Sequence, residues 1–160
     1  RVVFGPRDPS YISPILSAIQ SDLCESGIDG VLSTHIQRDA LEKFSYVSPI
    51  GAAGVYLHAV AGDFQKEGPA RELFKSMIRE ISALAAAMGY PFEKDYVKIN
   101  LEILSNLSAD ATTSMQRDIM EGKPSELDGL VMEPLRLAKK YSVSMPCYEE
   151  VAKVLCPLEF

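Results

Sequence analysis

The chain has 160 residues, a net charge of −6 and a 47% share of hydrophobic side chains. That length suits one domain, or one domain and part of another, and the apolar share is enough for a core. The acidic balance argues against nucleic acid, which needs clustered Lys and Arg, and against an anionic membrane surface, and no apolar run approaches the roughly 20 residues of a spanning helix.

The chain begins at Arg1, inside the apolar run RVVFG, with no secretory signal at its start, so it is expected to be a cut piece of a longer protein or a processed one. Arg1 to Gly5 reads as a short strand closed by a Gly-Pro turn. A helix follows, with Ser13 as N-cap, Pro14 in the first position, a stripe of Ile15, Leu16, Ile19 and Leu23, and Gly27 at its end. Ile28 to Thr34 reads as a second strand. Strand, helix and strand within residues 1–34 are too little to fold alone and look like the tail end of an α/β sheet.

From His35 onward the pattern is helical. Ile36, Ala40, Leu41, Phe44 and Val47 mark one face, and Pro49 is expected to kink or restart that helix. GAAGVYLHAVAG, with its small side chains, reads as close helix packing. Pro69 opens the clearest helix, whose buried stripe is Leu73, Phe74, Met77, Ile78, Ile81, Ala85 and Met88, and Gly89 caps it. A further helix carries Val97, Leu101, Leu104 and Leu107. Thr113 and Gln116 fit a capping box for a short helix stopped at Gly122. Pro124 is expected to open the next helix, with Leu127, Leu130, Val131, Leu135 and Ala138 inward and a bend at Pro134. A last helix starts at Pro146, after Ser144 or Met145, with Val151 and Leu155 inward. The fold class is therefore mainly α, with residues 35–160 as a helical domain behind a β-α-β piece.

Few side chains announce chemistry by themselves. Cys24, Cys147 and Cys156 are odd in number and match neither a zinc site nor a disulfide framework, which suits reduced thiols in the cytosol. His35 and His58 stand at no metal-ligand spacing, and no metal site is expected. Lys43 lies on an amphipathic helix beside Phe44 and Val47. A solvated lysine explains it, but turned inward it would lose water and be readied to give up a proton. Ser114 and Asp118, four apart, share a helix face, and free N–H groups in that first turn favour an anion such as a substrate carboxylate. Glu126 and Asp128 follow Pro124 in a first turn, where the helix dipole favours carboxylates whatever their function. No dinucleotide, phosphate-loop or nucleophile-elbow motif occurs.

The stretch TTSMQRDIMEGKPSELDGLVMEPLRLAKKYSVSMPCYEEV resembles the carboxy-terminal segment of the ketopantoate reductases (2-dehydropantoate 2-reductases). There, a Ser-Ser-Met-x-x-Asp element leads to Gly-basic-Pro-Thr-Glu-Ile-Asp and then to a small-hydrophobic-x-Pro element. Here these are TSMQRD, GKPSELD and VSMP, in order and at matching spacing. RVVFG resembles the strand near the end of the family's Rossmann-type cofactor domain, and SGIDGVLSTHIQRDALEKF the crossover into its helical domain.

The resemblance implies a helical domain of the 6-phosphogluconate dehydrogenase C-terminal type, with residues 1–34 as the tail of the cofactor domain. It implies an NADPH-dependent 2-oxo acid reductase in which Lys43 protonates the ketone oxygen. Ser114 would hold the substrate's carboxylate and hydroxyl groups, Glu126 would engage its hydroxyl and orient the lysine, and Asp118 would support them. Lys43 is then expected within a few ångströms of Glu126 or Ser114 across a cleft. The family's asparagines one and two turns after the lysine are replaced by Val47 and Gly51, which makes a more apolar 2-oxo acid or another ketone credible. NADPH would be held by an N-terminal Rossmann domain outside this chain, leaving the segment alone inactive. Apolar helical surface uncovered by that domain suits a homodimer. A non-catalytic interaction or dimerisation module that kept the fold remains the alternative.

Overall fold

The computed structural model describes residues 1–8, 10–11 and 13–157, and the chain divides into two compact units, Arg1–Leu41 and Glu42–Phe160. In the first, β1 (Val2–Phe4) and β2 (Gly30–Leu32) pair in parallel, Val2 opposite Gly30, and α1 (Pro14–Glu25) makes the crossover between them. Ser13 caps α1 through the Ile15 amide at 3.3 Å, with Pro14 in the first turn, as expected. No residue of α1 is fully buried, and Ile15 and Ile19 stay 69% and 41% exposed. Only the side of α1 that bears Leu23 meets the strands, where the place of a Gly30 Cβ lies 2.9 Å from the Leu23 Cβ.

The second unit is helical. It holds α2 (Ile36–Leu57, whose residues to Leu41 belong to the first unit), α3 (Ala61–Gln65), α4 (Pro69–Ala87), α5 (Tyr96–Ser105), α6 (Ser114–Met120), α7 (Glu133–Tyr141) and α8 (Pro146–Leu155). Its centre is α4, whose Phe74, Met77, Ile78, Ile81, Leu84 and Ala85 are buried, close to the stripe read from the sequence. Phe74 takes Phe64 and Tyr46 edge-on, at ring centroid distances of 5.9 and 6.0 Å. Pro69 and Pro146 sit in first turns, where a missing N–H costs nothing. The Thr113–Gln116 capping box is present, and Gly122, at φ 66°, follows α6 in the left-handed region.

Pro49 does not restart its helix, because α2 runs through it unbroken. The ring removes the N–H that would bond the Ser45 carbonyl four residues earlier. Asn100 of α5, 1% exposed, supplies the missing donor: its Nδ2 lies 3.0 Å from that carbonyl and 3.1 Å from the Ser45 Oγ.

Pro124 does not open a helix either. Residues 123–125 are irregular, and a π-helical turn spans Asp128–Met132 directly before α7. This turn lies directly before Pro134, where a bend is expected. The Glu133 N–H reaches back to the Asp128 carbonyl, and Pro134 has no N–H to return to Leu130. Arg136 staples the turn from outside, with Nη1 and Nη2 on the two oxygens of Asp128 at 2.9 and 2.7 Å and Nε on Glu133 at 2.7 Å.

No side chain of its own caps α8. Glu80 of α4 does so instead, accepting from the Cys147 and Tyr148 amides at 2.8 and 3.1 Å. Burial, and then the Glu80 carboxylate, push the Cys147 thiol up to about 11. In the folded protein Cys147 should therefore resist iodoacetamide at mildly alkaline pH and react only on unfolding, read by mass spectrometry of the labelled peptide. Asn100→Ala leaves the Ser45 carbonyl buried without a donor and should lower unfolding free energy by about 1–3 kcal/mol in urea titrations.

Candidate functional site

Lys43 lies on α2 in the stripe Lys43, Val47, Gly51, Gly54, which the helical repeat sets along one face. The far end of that stripe is covered at very short range. A Cβ at Gly51 would stand 3.1 Å from the Met115 Cε and 3.9 Å from both the Thr113 Oγ1 and the Leu130 Cδ1. A Cβ at Gly54 would stand 2.7–2.8 Å from the whole carboxamide of Gln116. Glycine at both places lets the start of α6 lie against the α2 backbone.

Gln116 closes this contact. Its Oε1 accepts from the Thr113 amide at 2.9 Å and its Nε2 donates to the Ala59 carbonyl at 2.8 Å, just past the end of α2. One side chain thus completes the capping box and ties α6 to α2. The Thr113 Oγ1 accepts from the Gln116 amide at 3.2 Å, so part of the free N–H set at the start of α6 is already satisfied.

The turn that carries Glu126 reaches the same stretch of α2. The Leu130 amide bonds the Glu126 carbonyl at 2.9 Å, and the Leu130 carbonyl accepts from the Ser48 hydroxyl at 2.6 Å. The Tyr148 hydroxyl of α8 lies 2.5 Å from the same Ser48 oxygen. Tyr148 is fully buried, and burial pushes its phenol far above the ordinary tyrosine range.

Lys43, Ser114 and Glu126 are exposed, and Asp118 is half-buried. Among the described residues, the side chains of Lys43, Ser114 and Glu126 form no hydrogen bond or ion pair. Their backbones are nonetheless anchored to a shared helix: Ser114 precedes Met115, which touches Gly51, and Glu126 lies one turn before Leu130, which touches Gly51 and Ser48. Asp118 is held to no other element by its side chain, and its carbonyl accepts from the Lys123 amide at 2.8 Å. An apolar cleft of about 460 Å³ adjoins the Gly54 end, lined by Gly54, Val55, His58, Thr112, Ile119 and Met120 among others.

Sequence reading missed Ser48 and Asn100. The available signal was a proline inside each helical pattern, since each one demands a donor for the carbonyl four residues before it. The described residues hold no cluster that would bind a metal ion and no helix long and apolar enough to cross a membrane. The turn after β1 has Gly5 alone, and a Cβ there would stand 2.2 Å from the Ser33 carbonyl, so this glycine serves strand contact.

Comparison with known proteins agrees with this architecture. The family described as "Ketopantoate reductase PanE/ApbA C terminal" matches residues 35–159. The 2-dehydropantoate 2-reductase of Aquifex aeolicus is 26% identical over 158 residues, covering 96% of this chain and 51% of that protein. The crystal structure of 2-dehydropantoate 2-reductase from Methylococcus capsulatus superposes with a TM-score of 0.85 at 23% identity, covering 98% of this chain and 50% of that one. A D-mandelate dehydrogenase solved with NADH and anilino(oxo)acetate has a TM-score of 0.73 at 18% identity, covering 85% of this chain and 57% of that one. The fold is thus mainly helical over the residues that this family's carboxy-terminal model matches, with a β-α-β piece ahead of them in the chain. The chain belongs to the ketopantoate reductase family, and it spans about half the length of the curated relatives it matches.

The Gly54–Gln116 contact is testable by itself. Gly54→Ala should cost about 1–3 kcal/mol of unfolding free energy through overpacking. In a Gln116→Ala background the same substitution should cost much less, a non-additivity that a double-mutant cycle in urea reads directly.

Proposed function

We propose that the intact protein reduces the ketone of a 2-oxo acid to the hydroxy acid, with NADPH held outside this chain as the hydride source. Residues 35–160 then grip the substrate and supply the proton. As the ketone oxygen gains charge, the Lys43 ammonium transfers a proton to it, and water later reprotonates the neutral amine. The Ser114 hydroxyl holds the substrate carboxylate, Glu126 orients Lys43 and accepts from a substrate hydroxyl where the side chain carries one, and Asp118 supports that wall. One observation carries the reading: the start of α6 and the turn from Glu126 both pack on Ser48–Gly54 of the helix that bears Lys43. The family resemblance supports assigning the reactive groups to those three elements.

The same surface favours an apolar substrate. The Met115 methyl covers Gly51 at the place where the family presents an amide, and Val47 presents an isopropyl group one turn nearer Lys43. A substrate hydroxyl facing these residues would lose its partner, whereas an alkyl or aryl side chain would lose nothing. A fold of this kind accommodates anilino(oxo)acetate in D-mandelate dehydrogenase.

Steady-state reduction by the intact protein, followed by loss of nicotinamide absorbance, tests both parts. Branched or aromatic 2-oxo acids should exceed ketopantoate in kcat/KM, and Lys43→Ala should lose about 10²–10⁴ in kcat with a much smaller change in KM. Near-normal turnover of Lys43→Ala would remove the lysine from the mechanism. Absence of turnover with every acid would favour a helical interaction module that kept the fold.

A further inference from the structure

Ser48 has no place in the mechanism above, yet it is 0% exposed at the junction of α2, the π-turn and α8. A serine hydroxyl has one hydrogen. Spent on the Leu130 carbonyl at 2.6 Å, it leaves Tyr148 to donate across the 2.5 Å contact. The Leu130 carbonyl needs this donor because residue 134 is proline. The two links run in series. The Glu126 carbonyl is bonded by the Leu130 amide, and the Leu130 carbonyl is bonded by Ser48, five residues after Lys43 on the same helix.

We propose that Ser48 is a positioning residue of the reaction, setting the separation of the Lys43 ammonium and the Glu126 carboxylate by pinning the π-turn to α2. The inference rests on the reductase reading given above. A π-turn carries one more residue than an α-helical turn. Without the Ser48 donor, the Leu130 carbonyl is left unpaired, since Pro134 has no N–H to offer it, and the Asp128–Met132 segment gains by shifting toward another donor or water. That shift carries with it the residues before the turn, Glu126 among them, whose carbonyl is bonded by the Leu130 amide. A displacement of that kind spoils a proton-transfer geometry without removing any group that touches substrate.

The test uses the intact protein and the variants Ser48→Ala, Tyr148→Phe, Pro134→Ala and Lys43→Ala. Ser48→Ala should lower kcat about 10–100-fold. Tyr148→Phe removes the other bond at the same oxygen but leaves Leu130 its donor. It should lower Tm by a comparable amount, roughly 2–8 °C, while kcat stays within about twofold. Pro134→Ala returns a backbone N–H to compete for the Leu130 carbonyl, and should lower kcat even though Ser48 is intact. It stands in for Ser48→Ala if that variant does not fold. Equal kcat in all three, with Lys43→Ala inactive, overturns the positioning role and leaves the reductase reading standing. Full activity in Lys43→Ala overturns the reductase reading, and this inference with it.

Discussion

A proline inside a helix leaves the carbonyl four residues earlier without its partner, and the unit Glu42–Phe160 is organised around two such carbonyls. Pro49 strips Ser45 and Pro134 strips Leu130, and in each case a polar side chain from another helix fills the vacancy: Asn100 for one, Ser48 for the other. An unsatisfied buried carbonyl costs more than a typical hydrogen bond contributes, so these two contacts are strongly directional constraints inside an otherwise apolar core. They fix which helices are neighbours and at what register. Asn100 sets α5 against α2, and Ser48 sets the π-turn against α2. With Tyr148 behind Ser48, α8 joins the second junction. Dispersion and apolar burial supply the bulk of the stability, but they are tolerant of sliding, and these hydrogen bonds are not.

Much of the helical content was legible because amphipathic period and cap chemistry act locally. Pro69 and Pro146 in first turns, the Thr113–Gln116 box and the α4 stripe from Phe74 to Ala85 all follow from residues within a turn or two of one another. Where the reading failed, the deciding partner was remote in sequence. Pro49 reads as a kink or a restart, and α2 runs through it unbroken while Asn100, 51 positions on, donates to the Ser45 carbonyl. Pro124 reads as a helix opener, yet the chain waits until Leu127, and the turn that follows is wound as a π-helix held by Ser48 and Arg136. Ile15 and Ile19 share the expected face of α1 yet stay exposed, because periodicity reports which side chains share a face, not how much surface there is to cover them.

The site was legible in a different way. Nothing in Lys43, Ser114 or Glu126 by itself distinguishes a reacting group from a solvated one, and order and spacing against a known family brought them forward. The coordinates add what spacing cannot: the elements bearing Ser114 and Glu126 meet one stretch of α2, and they do so through Gly51, Gly54 and Ser48. Those three residues carry no reactive chemistry. Two are conspicuous only for what they lack, and a missing side chain becomes informative once a neighbour is seen occupying its place.

The Met115 methyl over Gly51 ties two properties that enzymes often vary separately. Met115 follows Ser114 directly in the chain, so any larger residue at 51 must displace the side chain next to that serine. Change at a position proposed to discriminate between substrates is therefore felt by the residue beside the one proposed to anchor them. Lineages that alter one should carry a compensating change at the other, and positions 51 and 115 would drift as an epistatic pair rather than as independent sites.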